Sequence, residues 1–454
     1  MKNWLKSGVA TVVLIGGSVG TAEGSTLYFA FNRNYDLKSP NSSLFLFGKA
    51  GQSVTVSNLA GFNQTVTLNP SGFFNLPIPD TFQQSGTGIL NTGFKVVSPD
   101  PVAGYFVNRA PATTDMTYLL DSAALGKRYV VASMGGGADE GSQVAIHATQ
   151  DNTSVTFTPK GSAPIAVVLQ AGETYKYAGG TTDLTGSRVV ADKPVAVFAG
   201  HACALVPPDR LYCDTLLEQM IPDDRLSKQY LLTASKPAGA PEIGFDLVRV
   251  VATENGTTVK VNGAAVATLN EGDFHEFNLT GGALVEADKP VLVAQYLVGQ
   301  GSTDVNTDPA MAVVPGADTW LKEYRLSTPA DDQAFTDNYA SIVIDTDDLA
   351  SLKLDGSVVD TSGFTAIGAT GYSRGIVPLP VGLFTLTADS PFLVMLGGGA
   401  DYDSYLTYGG ATFAPGVSPP PLPPPPPPTG VAEPASLALF GLGLLGLAAL
   451  RRRA

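Results

Sequence analysis

Short apolar runs separated by turn residues dominate the chain between residues 23 and 415. Val, Thr, Tyr and Phe recur in these runs, and Gly, Pro, Asn and Asp divide them, which is the pattern typical of β-strands joined by tight turns. Asn262-Gly263 and Asp355-Gly356 are dipeptides that close two-residue hairpins, because both turn positions require a positive φ. The pattern predicts an all-β protein with little helix.

The strand pattern repeats four times along the chain. Each copy contains a turn, a proline and an apolar strand: SPDPVAGYF, ADKPVAVFA, ADKPVLVAQ and ADSPFLVML, with Pro101, Pro194, Pro290 and Pro391. Two further markers recur, an Ala-Thr pair (Thr149, Thr253) and the segments LGKRYVVAS, LSKQYLLTAS and LKEYRLSTP. A repeat of about 95 residues is too long for one propeller blade, so we expect tandem β-sandwich-like modules, with propeller-like closure as the alternative.

Both ends of the chain have the composition of export signals. Lys2, Lys6 and the apolar stretch that follows them predict a signal peptide over residues 1–22. Pro419–Pro428 is proline except for Leu422, which predicts an extended, semi-rigid spacer. The predicted organisation is a signal peptide (1–22), four β modules (23–106, 107–200, 201–297 and 298–415), a Pro-rich stalk (416–430) and a sorting tail (431–454).

The tail carries a short motif, an apolar run and a basic end: Ala432, Glu433 and Pro434, then 435–450, then Arg451, Arg452 and Arg453. The apolar run predicts a short transmembrane helix, and arginines at its end favour a cytoplasmic terminus. This order resembles the PEP-CTERM sorting signal, with Ala432 where the family has its first proline. The resemblance implies an exosortase-type processing enzyme as partner, transient anchoring in the inner membrane, and a final location at the cell surface or outside the cell.

Charge narrows the classes of partner. The chain has a formal net charge of −14, and the basic residues of the two predicted export signals leave the region between them more acidic still. Nucleic acids and anionic lipids require basic surfaces, so neither is expected as a partner of this region. The charge favours solubility and interaction with cations or with neutral and basic surfaces.

Cys203 and Cys213 are the two cysteines of the chain. In an exported protein a close even pair predicts one disulfide, which stabilises by roughly 2–3 kcal/mol on the chain-entropy account. Metal binding with His201 as a third donor is the alternative, although the spacing does not match a usual zinc motif.

The segment around these cysteines resembles the N-terminal region of the IgGFc-binding protein family. The run from residue 183 to 222 carries the resemblance, at Asp192, Pro194, Gly200, His201, Cys203, Cys213, Asp214, Glu218 and Gln219. The resemblance implies an extracellular binding or matrix module, and it implies that CDTLLEQ, from Cys213 to Gln219, begins a helix. It does not imply immunoglobulin binding by this chain.

No catalytic residue is predicted. Gly371–Gly375 matches a G-x-S-x-G elbow around Ser373, but IVPLP follows it and His147, His201 and His275 all precede it, whereas an elbow requires a following helix and a later histidine. The histidines are therefore interpreted as structural.

Two weaker hypotheses concern ligands. Loop carboxylates are alternative calcium ligands, although none has the spacing of a twelve-residue calcium loop: Asp139, Glu140, Asp304, Asp308, Asp401 and Asp403. Several rings are candidates for stacking on polysaccharide: Tyr35, Phe73, Phe74, Tyr175, Tyr177, Tyr402 and Tyr405. The function expected from the whole sequence is non-enzymatic binding or adhesion at the cell surface or in the matrix. Binding of exopolysaccharide is the alternative, and a secreted hydrolase comes third.

Overall fold

The computed structural model describes residues 24–413 except 36–40, 211, 236–244, 300–306, 330–334, 336 and 401. Strands dominate this part of the chain, so the predicted all-β class is confirmed. Its helical segments are five 3-10 turns: Asp80–Phe82, Ser122–Ala124, Asp223–Arg225, Ala317–Thr319 and Thr346–Ser351.

Both predicted export signals and the Pro-rich stalk lie outside the described residues. Within residues 24–413, apart from the gaps named above, there is no helix with the length and apolar character needed to span a membrane.

The described residues form strands β1 to β32, arranged in four successive two-sheet sandwiches. The first nine strands are β1 (Thr26–Phe29), β2 (Ser43–Phe47), β3 (Ser53–Asn58), β4 (Asn63–Thr67), β5 (Phe73–Pro77), β6 (Gly88–Leu90), β7 (Phe94–Val97), β8 (Ala103–Ala110) and β9 (Thr113–Tyr118). All of them except β6 form sandwich 1. Sandwich 2 follows: β10 (Gly126–Val130), β11 (Ser142–Ala148), β12 (Thr153–Thr158), β13 (Ile165–Leu169), β14 (Thr174–Gly180), β15 (Arg188–Ala204) and β16 (Asp214–Gln219).

The second half of the chain forms two further sandwiches. Sandwich 3 contains β17 (Gln229–Thr233), β18 (Asp246–Ala252), β19 (Thr257–Val261), β20 (Ala264–Leu269), β21 (Phe274–Leu279), β22 (Gly282–Ala287), β23 (Val291–Leu297) and β24 (Ala310–Val313). Sandwich 4 contains β25 (Leu321–Ser327), β26 (Asp337–Asp345), β27 (Lys353–Leu354), β28 (Ser357–Val358), β29 (Thr365–Ala366), β30 (Tyr372–Pro378), β31 (Leu383–Ala400) and β32 (Asp403–Tyr408).

All four sandwiches share one antiparallel strand order. Sandwich 1 has the sheets β1-β7-β3-β4 and β5-β2-β8-β9, and sandwich 3 has the matching sheets β17-β22-β19-β20 and β21-β18-β23-β24. In sandwiches 2 and 4 one long strand, β15 or β31, passes through both sheets and replaces two strands. Each repeat is therefore a two-sheet sandwich and not a single propeller blade. The predicted boundaries at 106, 200 and 297 each fall before the last strand of a sandwich.

The three repeated sequence markers meet at one corner in sandwiches 2 and 3. Pro194 lies where β15 passes from one sheet to the other, and Thr149 donates its hydroxyl to the Pro194 carbonyl at 2.7 Å. Tyr129 donates its hydroxyl to the next carbonyl, that of Val195, at 2.5 Å and accepts the Gly126 N–H. Sandwich 3 repeats both contacts with the corresponding Thr253–Pro290 and Tyr230–Val291 pairs, and sandwich 4 repeats the second with Tyr324 and Phe392.

The predicted hairpin turns are present. Asn262 and Gly263 have φ values of 51° and 81°, and Asp355 and Gly356 have φ values of 50° and 80°. They join β19 to β20 and β27 to β28. Two successive positive φ angles match the right-handed twist of the strands that such a turn connects.

The family resemblance implied a helix at Asp214–Gln219, and this prediction is wrong. These residues form strand β16, which pairs antiparallel with β15. The segment reads as amphipathic in isolation, but every residue of β16 is buried on both faces because other sandwiches pack against it. Tertiary packing thus overrides the local signal.

Arg249 joins sandwich 2 to sandwich 3. Its buried guanidinium donates to the Ser133 carbonyl, to Asp183 at 2.9 Å and to Glu276 at 2.8 Å, and it lies over the Phe274 ring. A buried cation is tolerated here because two carboxylates and an aromatic face surround it.

The corner tyrosines predict a stability effect. Tyr230→Phe removes the hydroxyl that links the Ser227 N–H to the Val291 carbonyl, so two buried backbone groups lose their partner. We expect a loss of about 1–3 kcal/mol in the free energy of unfolding, measured by chemical denaturation. Tyr35→Phe, at an exposed ring, is the control. Equal stability of the two variants would contradict the prediction.

Candidate functional site

The last strands of the four sandwiches, β9, β16, β24 and β32, meet at the centre of the molecule; we call this group the hub. Every residue in these strands is buried. β9 packs against β16 and β32, and β24 packs against the same two strands, so the four close a ring around one axis. Each strand pairs with one neighbour in its own sheet, which leaves its other backbone edge turned toward the hub.

Asp115 occupies the middle of the hub. Its Oδ2 accepts the N–H groups of Leu217 in β16 (2.9 Å) and Met311 in β24 (3.0 Å). Its Oδ1 accepts the N–H groups of Leu406 in β32 (3.3 Å) and of its own neighbour Met116 (2.9 Å). One carboxylate therefore receives one backbone donor from each of the four hub strands.

This carboxyl is fully buried. Burial raises the pKa of Asp115 well above its ordinary value, and the four N–H donors oppose that rise. A proton on either oxygen would have to displace one of these donors. The buried N–H groups at the strand edges thus all have an acceptor, as buried backbone groups require.

Three residues before each of these N–H donors lies a second layer, Thr113, Asp214, Asp308 and Asp403, which we call the axial ring. All four residues are buried, so three carboxyls and one hydroxyl occupy equivalent positions on four strands. Neighbouring strands are joined here by hydrogen bonds. The Thr215 N–H donates to the Thr113 hydroxyl at 3.0 Å, and the Asp308 N–H donates to the Ser404 hydroxyl at 3.0 Å.

The axial ring is electrostatically strained. Burial raises the pKa of Asp214 well above its ordinary value, and the nearby carboxyls of Asp403 and Asp308 raise it further. Burial, followed by the charge of Asp403, raises the pKa of Asp308 to about 7. Like charges in a low dielectric disfavour joint ionisation, so the ring resists carrying three negative charges.

Glu218 and Gln219 form a third polar layer of the hub. Thr117 of β9 donates its hydroxyl to Glu218 Oε2 at 2.7 Å and accepts the Gln219 N–H at 2.8 Å. The Gln219 amide oxygen accepts the Leu120 N–H at 2.8 Å. Burial raises the pKa of Glu218 well above its ordinary value. These contacts fasten sandwich 2 to sandwich 1.

The remaining family positions support the corner and the strands next to the hub. Asp192 accepts the Ser154 N–H at 2.9 Å, and Pro194 occupies the corner described above. A Cβ on Gly200 would lie 1.8 Å from the Leu216 carbonyl oxygen, so only glycine lets β15 and β16 approach this closely. The family motif therefore builds the hub and its approach.

His201 has both ring nitrogens engaged. Nδ1 accepts the Cys203 N–H at 2.9 Å, and Nε2 lies 2.9 Å from the Gly136 carbonyl, to which it donates. Burial lowers the pKa of His201 to about 4, which keeps the ring neutral. Cys203 and Cys213 form the predicted disulfide across the loop that leads into β16, with a Cα–Cα distance of 5.0 Å. Neither cysteine is free to hold a metal.

The predicted calcium loops are dispersed. Asp139 forms an ion pair with Arg33 at 2.6 Å, and Glu140 accepts the Gly86 N–H. Asp304 and Asp401 lie outside the described residues, whereas Asp308 and Asp403 belong to the axial ring. Among the described residues, no group of three or more His, Cys, Asp or Glu side chains is arranged to hold a metal ion.

Ser373 lies in strand β30 and not at an elbow. It is buried, and its hydroxyl contacts that of Thr346 at 2.9 Å. Burial lowers the pKa of His147 to about 3, and its ring contacts Thr174. His275 lies in β21.

The rings considered for polysaccharide stacking are spread over the molecule. Tyr175 and Tyr405 are buried, and three others are half-buried: Phe73, Phe74 and Tyr177. Tyr35 and Tyr402 are exposed, and Tyr402 makes an edge contact with Tyr212 at 5.2 Å. Of this pair, Tyr212 was not among the rings identified from the sequence.

The central role of Asp115 was not visible from the sequence. Three of the backbone groups that Asp115 binds lie more than 100 residues away along the chain, so no local pattern identifies it. A signal was nevertheless present. Asp214, Asp308 and Asp403 each lie three residues before a hub residue that donates to Asp115. Each of them also precedes an apolar strand.

Loss of the Asp115 carboxyl is expected to destabilise the protein strongly. Asp115→Ala leaves four buried N–H groups without an acceptor, and each unpaired group costs about 1–3 kcal/mol. We expect Tm, measured by calorimetry, to fall by at least about 8 °C. Asp115→Asn keeps the volume and one acceptor, so its Tm is expected to lie between those of wild type and Asp115→Ala. The control is Asp224→Ala at an exposed carboxylate; a Tm equal to that of the control would refute the role of Asp115.

Comparison with known proteins agrees with these positions. Residues 115–398 match the family described as IgGFc binding protein, and residues 431–453 match the PEP-CTERM protein-sorting motif. The IgGFc-binding protein of Homo sapiens is 26% identical over 351 residues, which cover 73% of this chain and 6% of that protein. This chain thus spans a small fraction of its human relative.

One solved structure is similar only in part. An α-L-rhamnosidase of Streptomyces avermitilis, complexed with L-rhamnose, covers 68% of this chain and 44% of its own at 8% identity, with a TM-score of 0.15. That score carries no argument about fold or activity. The sorting motif indicates an exported protein that an exosortase-type enzyme processes. From Asp115 at the centre of the hub to residue 398 in β31, the chain belongs to the IgGFc binding protein family.

Proposed function

We propose that the chain is a non-enzymatic binding or adhesion protein, displayed at the cell surface or in the extracellular matrix by its sorting tail. The family match and the sorting motif support export and surface association. The proposal assigns no catalytic residue, since Ser373 is buried in a strand and the neutral ring of His201 has both nitrogens occupied.

One observation carries the proposal: the hub brings hairpins from separate sandwiches to one end of the axis. The hairpins into β16, β24 and β32 begin beside the axial ring, and they contact each other there. The Gly299 N–H donates to the Val206 carbonyl at 2.8 Å, and Tyr212 packs on Tyr402. We call this end, with Val206, Tyr212, Gly299 and Tyr402, the hairpin-loop face. Loops held by a rigid scaffold are the usual location of binding residues.

Tyr212 and Tyr402 favour polysaccharide as a second candidate ligand. Their rings are 42% and 47% exposed, whereas many other tyrosines of the described chain are buried in the core. Exposed paired rings offer apolar faces on which sugars stack, with hydroxyls at the edge for hydrogen bonds. The formal net charge of −14 favours a neutral or basic polymer over an acidic one.

Binding by the hairpin-loop face is testable on immobilised ligands. The full chain would be applied to exopolymer isolated from its host, to a neutral and an acidic polysaccharide, and to immunoglobulin Fc, for which the human relative is named. We expect Tyr212→Ala with Tyr402→Ala to weaken retention on one of these ligands at least tenfold, because both rings leave the surface.

Val358→Ala is the matched control, since Val358 is exposed on β28, away from the hub. Retention of the double tyrosine variant equal to that of the control on every bound ligand would remove the hairpin-loop face from the proposal. Binding of Fc alone would favour a protein ligand over polysaccharide.

Display through the tail makes a separate prediction. We expect the mature protein to end near Glu433, without the apolar run and the arginines, as determined by mass spectrometry of protein isolated from its host. Replacing Arg451, Arg452 and Arg453 by alanine should cause unprocessed protein to accumulate, because the basic end that fixes the orientation of the tail is lost. A mature wild-type protein that still ends at Ala454 would overturn display by sorting.

A further inference from the structure

The axial ring places three carboxyls in one buried layer. Among the described residues, Asp214 Oδ2 and Asp308 Oδ1 are buried and have no partner within hydrogen-bond distance. Asp214 Oδ1 accepts the N–H of its neighbour Thr215 at 2.6 Å, and the Thr113 side chain partly opposes the rise in the pKa of Asp214. Two carboxyl groups from different sandwiches thus lie buried at the axis with incomplete hydrogen bonding.

The groups that face the ring come from all four hub strands. β9 contributes Thr113, the Thr114 hydroxyl, which donates to Asp403 Oδ2 at 3.1 Å, and the Asp115 carboxyl one layer deeper. β16 contributes Asp214 and, further in, Glu218; the segment before β24 contributes Asp308, and β32 contributes Asp403 and Ser404.

Two arginines near this end of the hub make contacts outside the axial ring. Arg109 of β8 lies over the Phe335 ring at 5.0 Å, and Arg210 in the loop before β16 pairs with Asp209 at 3.5 Å. The pKa of Asp308 is raised by burial and then by the charge of Asp403. His201, on β15 beside β16, is held neutral.

Buried carboxyls of this kind have two physical states. In the protonated state an acid group donates its hydrogen to a neighbouring carboxyl, so the unpartnered oxygens gain a partner and no net charge is buried. In the ionised state the same oxygens repel each other at low dielectric and lack donors. The repulsion would act directly between strands of different sandwiches.

We propose that the axial ring is a proton-dependent lock on the four-sandwich assembly: shared protons hold Asp214, Asp308 and Asp403 together, and their loss loosens the hub. The lock depends on the hub geometry and not on the proposed ligand binding. When it loosens, the hairpin-loop face, which begins at these same residues, loses its support.

The direction of the pH dependence follows from the raised pKa values. The pKa of an unfolded Asp is about 4, whereas in the folded protein the pKa of Asp308 is raised to about 7 and that of Asp214 is raised well above its ordinary value. The folded state therefore binds more protons than the unfolded state between these values, and its stability falls as pH rises from about 4 through 7. Below the unfolded pKa the contribution of the ring is complete.

The test compares Tm of the full chain from pH 5 to pH 9 for wild type and for the double variant Asp308→Asn with Asp403→Asn. Asparagine cannot ionise and still offers an N–H donor to Asp214. We expect wild type to lose on the order of 5 °C more than the variant between pH 6 and pH 9, and the two to agree within about 2 °C at pH 5. Asp224→Asn, at an exposed carboxylate, should follow wild type.

Parallel pH curves for wild type and the double variant would overturn the proposal. A rise in wild-type Tm on adding Ca²⁺ at pH 8.5, absent in the double variant and without any difference in pH slope, would also overturn it, since a metal ion would then neutralise the ring. If the double variant does not fold, hydrogen exchange of wild type decides the matter. After correction for intrinsic rates, protection between pH 6 and pH 8.5 should fall in β16 and β24 and stay constant in β12; uniform behaviour would refute the lock.

Discussion

The structure depends on one carboxylate that satisfies the backbone edges of four strands. A sandwich with an open edge strand exposes unpaired N–H groups, and proteins normally cover such edges or leave them to water. Here four edges converge on an axis where they cannot pair with each other in a sheet. Asp115 resolves this conflict, because its two oxygens offer four acceptor positions and the four N–H groups of Met116, Leu217, Met311 and Leu406 occupy them. The four-fold closure follows from that match in number.

The hub also changes the meaning of the family motif. In the sequence, His201 and the two cysteines left metal binding open as an alternative to a disulfide. In the structure Gly200 permits close packing, His201 fastens the loop between β10 and β11 to β15, and Glu218 with Gln219 binds β16 to β9. The motif is a structural requirement of the assembly. The ligand contacts that we propose lie instead on the hairpin loops that lead into the hub strands.

The parts of the fold that sequence reasoning could predict are those with local causes. The Asn-Gly and Asp-Gly turns depend only on the φ preferences of two adjacent residues, and the corner prolines mark a change of sheet within a single strand. The repeated tyrosines join these corners from about 65 residues away, and their spacing is visible because it recurs. The hub has no such local cause. Its contacts join residues separated by 102, 196 and 291 positions, and the family resemblance implied a helix where strand β16 lies.

A polar hub is an unusual choice for the centre of a large β protein, and its geometry explains why it is favoured over an apolar one. Apolar side chains at the axis would bury more hydrocarbon but would leave the four N–H groups without acceptors, and a buried unpaired donor costs more than a buried methyl group gains. An apolar centre would also accept three or five strands as readily as four, because hydrophobic packing has no preferred number of partners. The Asp115 carboxylate accepts four donors in defined directions. The polar layers around it therefore select one closure among several, and the axial ring is the place where that selection remains sensitive to charge.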